Sequence, residues 1–150
     1  MYKRIKGITL IELLLYLSLI AIIFASEICL IGFARAQKQK AEESIMISEI
    51  ESLFMYSKEY SLANNCICQV IVDNPKNSIK VKSSKDMDKI REINLNKMKI
   101  YNANRYLYTV GNDGRIGEGG TICISSDESK KKFEFVIGVG TDNIRINEVK

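Results

Sequence analysis

From Ile8 to Ala34 the chain carries only two charged residues, Glu12 and Glu27, and is otherwise rich in Leu, Ile, Ala and Phe. A helix over that stretch is about 40 Å long at 1.5 Å per residue, more than a hydrocarbon core of about 30 Å. It can therefore span a membrane. Lys3, Arg4 and Lys6 precede it in a very short tail, so the positive-inside bias keeps the N-terminus cytoplasmic and sends the head across, in a single-pass arrangement. Arg35, Lys38 and Lys40 on the far side count against this orientation, although Glu42 and Glu43 follow closely. Glu12 is what a plain anchor leaves unexplained. A carboxylate near mid-membrane costs roughly 2.5–3.5 kcal/mol on insertion scales, so an acid retained there implies a partner and a task.

A cleaved secretory signal, with Ala34-Arg35-Ala36 as its cleavage site, is a competing reading. The apolar run is too long for it, because signal h-regions span about 7–15 residues, and an arginine inside the site is unfavourable. Composition narrows the choice further. Three of the cations behind the formal charge of +4 lie in residues 1–7, and removing them leaves +1, so the basic balance is mostly topogenic. With four cysteines, no histidine and one proline, neither a metal site nor a Cys/His catalytic pair assembles readily. Acid, base and nucleophile are nowhere grouped, so the sequence predicts neither an enzyme nor a cofactor.

Beyond the apolar run the helical pattern continues. Arg35 to Leu62 contains no Pro or Gly, and Met46, Ile50, Leu53 and Phe54 form an apolar stripe at helical spacing, with Asn64-Asn65 as the stop. From Cys66 the period becomes two. Cys66 to Val72 reads as a strand, 73–77 as a turn and Ser78 to Ser83 as the antiparallel mate. Lys85 to Lys99 is ambiguous between a short helix and an irregular crossover. Arg105 to Val110 and Thr121 to Ser125 read as strands, and Phe133 to Val139 with Ile144 to Val149 as a closing hairpin. The glycines at 111, 114, 117, 119 and 120 predict turns with positive φ. The class is α+β, with residues 1–7 a leader, 8–34 the membrane half of the helix, 35–64 its amphipathic half and 65–150 a β-rich head.

The residues Gly7-Ile8-Thr9-Leu10-Ile11-Glu12-Leu13-Leu14, with basic residues before them and an apolar helix after, resemble the prepilin cleavage and methylation motif of type IV pilins and pseudopilins. The resemblance implies that a prepilin peptidase cuts between Gly7 and Ile8 and N-methylates Ile8. It also implies that Glu12 contacts the new amino terminus of a neighbouring subunit during assembly. A methylated α-amine and a carboxylate, each costly alone in a low-dielectric bundle, offset one another's desolvation and set the axial stagger. More weakly, Gly114, Gly119-Gly120-Thr121-Ile122, Val136-Ile137-Gly138-Val139-Gly140-Thr141 and Ile144-Arg145-Ile146 resemble the β-domain of minor pseudopilins of the secretion-pathway H and competence type. The implied fold is pilin-like, a long helix packed on a small antiparallel β-sheet head. Ile8 departs from the more usual Phe or Met. The helix proline of major pilins is missing around Ile28-Cys29-Leu30, and so is a cysteine-bridged terminal loop, which favours a minor subunit. The implied partners are the peptidase, other pilins or pseudopilins in a type IV pilus, competence or type II secretion-like filament, an assembly ATPase, a platform protein and the inner membrane. A signal-anchored extracytoplasmic binding domain is the alternative.

Other constellations point less far. Cys29 reads as a small hydrophobe in the apolar helix. Cys66 and Cys68 alternate onto the face of Val70 and Val72, whereas Cys123 sides with Thr121 and Ser125. A disulfide between Cys123 and one of the pair is chemically open outside the cytoplasm, but the mismatch of faces favours buried free thiols. Lys80, Lys82 and Lys85 with Lys130-Lys131-Lys132 offer a basic patch for DNA, yet Asp86, Asp88, Asp127 and Glu128 accompany them, and direct DNA contact is the lesser reading.

Overall fold

The computed structural model describes residues 9–85, 89–140 and 144–149. The leader, Gly7, Ile8 and the tip of the closing hairpin at 141–143 lie outside them, as do Asp86, Met87 and Asp88. A single helix, α1 (Leu10–Asn64), is followed by eight strands: β1 (Cys68–Asp73), β2 (Ser78–Ser83), β3 (Lys89–Asn94), β4 (Met98–Ala103), β5 (Leu107–Val110), β6 (Gly120–Ser126), β7 (Lys132–Ile137) and β8 (Ile144–Val149). The chain divides into two compact units, Met1–Lys40 and Ala41–Lys150.

In the second unit α1 ends where Asn65 takes a left-handed φ of 45°. The Cys66 N–H then donates to Ser61 O at 3.1 Å and the Asn65 N–H to Leu62 O at 3.4 Å. This paired closure satisfies the last carbonyls of the helix and turns the chain into β1. The expected stripe is the buried face: Ile50, Leu53 and Phe54 are inaccessible to solvent or nearly so, and Met46 packs against them. Ser57 and Ser61 share that face without penalty, because their hydroxyls donate back to Phe54 O and Lys58 O at 2.7 Å.

The strands form two antiparallel four-stranded sheets rather than one, ordered β3-β2-β1-β5 and β4-β6-β7-β8. Strict alternation builds their inner faces. Cys68, Val70 and Val72 pair across to Ser83, Val81 and Ile79, and Ile122 and Ile124 to Phe135 and Phe133. All of the hydrophobic members of these pairs join Ile50, Leu53 and Phe54 in one core. The ambiguous stretch resolves into β3 and β4, in different sheets, so Ile90 and Ile93 mark a strand and not a helix.

The crossing from β3 to β4 depends on Asn77, at φ 50°. Its Nδ2 donates to Leu95 O and Met98 O, both at 2.6 Å, and its Oδ1 accepts from the Ile100 N–H at 3.0 Å. Its own carbonyl accepts from the Leu95 N–H at 3.0 Å. One side chain thus supplies the backbone pairing that the chain loses as it changes sheets.

Of the glycines between 111 and 120, only Gly114 has a positive φ, 73°, which corrects the expectation that the whole run needs that conformation. Gly120 is needed for space instead. A Cβ there would stand 2.6 Å from Tyr108 Oη and 2.8 Å from Asn104 Oδ1. Tyr108 is fully buried, its ring edge-on to Phe54 at 5.8 Å between centroids. Burial pushes its hydroxyl up to about 12, so it stays protonated, and it finds no hydrogen-bond partner among the described residues. Tyr108→Phe is therefore expected to stabilise the head by about 1 kcal/mol. Denaturant unfolding checks this, and a loss of stability would mean that the hydroxyl is satisfied.

Candidate assembly site

Thr9 and Glu12 close the first turn of α1 as a reciprocal cap. The Thr9 N–H donates to Glu12 Oε2 at 2.9 Å, the Thr9 hydroxyl donates to the same oxygen at 3.0 Å, and the Glu12 N–H reaches Thr9 Oγ1 at 3.3 Å. The first helical carbonyl bond, Leu13 N–H to Thr9 O, measures 3.1 Å. A threonine followed three residues later by glutamate is a known helix-start pattern, and it was visible in the sequence. Thr9, which the family resemblance does not single out, is thus part of the site. The carboxylate therefore has a local task even in the isolated subunit, orienting the first turn next to the residue that cleavage would make the new amino terminus. Gly7 and Ile8, the cleavage and methylation positions, lie outside the described residues.

Among the described residues nothing covers the apolar part of this helix. Leu10 is 76% exposed and Ile28 71%, and every described side chain from Thr9 to Ala34 is exposed. Its apolar residues occur on all sides, as they do in a helix meant for lipid or for the interior of a bundle. By length and composition the helix can cross a membrane, its most apolar stretch having a mean hydropathy of 2.4. Glu12 and Cys29 are both exposed on it.

The head holds the second half of α1 through polar contacts as well as the core. Glu43, buried, accepts from Ser126 Oγ at 2.8 Å, and Lys97 bridges Glu42 and Glu128, the latter at 3.7 Å. Arg91 of β3 lies over the Tyr56 ring at 5.5 Å. Hydrogen bonding to Glu42 raises the Lys97 ammonium above the usual lysine range.

The cysteines are free thiols in this structure. Cys66 and Cys68 are buried against the core, and Cys66 Sγ accepts from Ser83 Oγ at 3.5 Å. Burial first, then the adjacent Cys66, pushes the Cys68 thiol up to about 11, which leaves it without appreciable thiolate at neutral pH. Cys123 is only partly buried, lying between the buried Ile122 and Ile124, so its side chain points to the other face of β6. Alternation alone thus separates it from the pair. Among the described residues no group of three or more metal-ligating side chains converges. The lysines of the basic patch are dispersed: Lys80 on β2 pairs with Asp73 at 2.8 Å, Lys131 in the loop before β7 pairs with Glu148 at 2.7 Å, and Lys132 on β7 lies over the Tyr101 ring at 5.7 Å.

These features define an α+β protein with one long N-terminal helix packed against antiparallel sheets. A solved structure with this fold is the minor pseudopilin EpsH of the type 2 secretion system of Vibrio cholerae, which superposes with a TM-score of 0.54 at 10% sequence identity over 71% of this chain and 94% of that one. The sequence matches no protein-family model and no curated protein.

Proposed function

We propose that this chain is a minor pilin or pseudopilin subunit, made with a short leader, cut between Gly7 and Ile8 and methylated on Ile8 by a prepilin peptidase, then drawn from the membrane into a filament. The observation that carries the reading is the joint presence of a Thr9–Glu12-capped, wholly exposed apolar helix and a head with the fold of a minor pseudopilin. In the filament the Glu12 carboxylate meets the cationic amine of a neighbour. Its cap bonds to Thr9 are the ones that pairing must share or replace. An assembly ATPase and a platform protein supply the work of extraction.

Intact mass of the protein purified from membranes tests the processing. The expected species lacks Met1 to Gly7 and carries one added methyl on Ile8. An unprocessed N-terminus in a cell that contains the peptidase would sink the reading and leave a signal-anchored domain.

A further inference from the structure

Two thiols of the head, Cys66 and Cys68, have no part in the mechanism above. They stand where α1 hands over to β1, and both are buried, whereas Ile67 between them is 44% exposed. Strand alternation explains the difference, since with one residue between them the two cysteine side chains project onto the same inner face. Ser83 lies opposite Cys68 in the β1–β2 register, and its hydroxyl donates to Cys66 Sγ at 3.5 Å. The two thiols also hydrogen-bond to each other. One serine and two cysteines thus meet in a single buried cluster at the exit of the helix.

Residues two apart along a strand have Cα atoms about 6.6–6.8 Å apart, within the span of about 4.4–6.8 Å that a disulfide bridges. Cys66 precedes the first ladder pairs of β1, so no sheet partner holds it at full extension. Cys123 is turned to the other face of β6 and competes for neither sulfur. A metal needs more ligands than this pair offers, and among the described residues no group of three or more converges.

We infer that Cys66 and Cys68 form a disulfide when the head folds outside the cytoplasm, the free thiols being its reduced state. This inference rests on the reading that carries the head across the membrane, where disulfides persist. The thiolate of one cysteine attacks the disulfide of an extracytoplasmic thiol oxidant, and the thiolate of the other displaces the oxidant from the mixed disulfide. Both S–H bonds are lost and one Sγ–Sγ bond forms. The two electrons pass to the oxidant, which leaves as a dithiol with two protons. Both steps need access, so they precede closure of the core. Cys68 is fully buried, and its thiol, pushed up to about 11, offers little thiolate once the head has packed. The bridge restrains the chain at Ile67, the covalent link from α1 to β1, which is an inner strand of its sheet.

The test uses full-length protein in membranes of cells that assemble the filament. Samples are quenched in acid, denatured, alkylated without reductant and digested with trypsin, which places Cys66 and Cys68 together in the peptide 59–76 and Cys123 in 116–130. The expected 59–76 peptide takes no alkyl group and is about 2 Da lighter than its dithiol form, the mass of the hydrogens lost. After reduction it takes two alkyl groups, while 116–130 takes one in both samples. In Cys66→Ser the unreduced 59–76 peptide takes one alkyl group, because Cys68 has lost its partner. A 59–76 peptide that is doubly alkylated without reduction, or that is joined to 116–130, overturns this inference. Trypsin added to intact spheroplasts separates the two readings, since a head that it cannot reach overturns the functional reading instead.

Discussion

Replacing Glu12 by glutamine is expected to leave leader removal intact and to lower incorporation into filaments by a hundredfold or more. Losing one partner of a buried ion pair costs roughly 3–5 kcal/mol, since the other charge remains buried without compensation. The choice of glutamine follows from the geometry at Thr9. Glutamine preserves the helix cap, because its side-chain oxygen can still accept from the Thr9 N–H that Glu12 Oε2 accepts from at 2.9 Å. Only the charge is lost. Glu12→Ala removes both charge and cap, and the cap alone costs about 1 kcal/mol. If the two variants fail equally, the charge pair is the cause. If Gln assembles normally and Ala does not, Glu12 serves the helix terminus and the pairing mechanism is wrong. Immunoblots of sheared filaments against membrane-retained, processed subunit provide the measurement.

The second large effect lies far from the helix. Asn77→Ala should destabilise the head by about 3 kcal/mol, from the loss of bonds to Leu95 O, Met98 O and the Ile100 N–H and from alanine's strain at a positive φ. Asn77→Gly keeps the backbone conformation and loses only the bonds, so it should fall between wild type and Ala. Chemical denaturation of the three proteins orders them. Equal stability of wild type and Ala would show that the crossing between sheets does not depend on this side chain. Subunits with a loosened head should still be processed, which separates this effect from that of Glu12.

Much of the chain is legible in local sequence pattern. The apolar run, the amphipathic stripe through Ile50 and Phe54, the β1–β2 pairing and the β7–β8 hairpin all follow from periodicity, which reports which face of an element is buried. Periodicity does not report which strand lies beside which. So the sequence of β3 and β4 is ambiguous, and two sheets are not distinguishable from one. Asn77 looked like a turn residue, which it is by its φ. Its three side-chain bonds depend on where residues 95–100 pass, information that no local pattern holds.

At the helix start the position is reversed. The threonine and glutamate spacing contains the cap, because its bonds join residues only three apart. By itself the sequence determined that α1 begins in an apolar run carrying two acids, Glu12 and Glu27, because hydropathy and helical rise are local properties. Tertiary structure alone decided how the head closes over Tyr108 and why Gly120 must lack a side chain. Those outcomes depend on contacts between residues far apart in the chain, whose meeting is fixed only when the whole core packs.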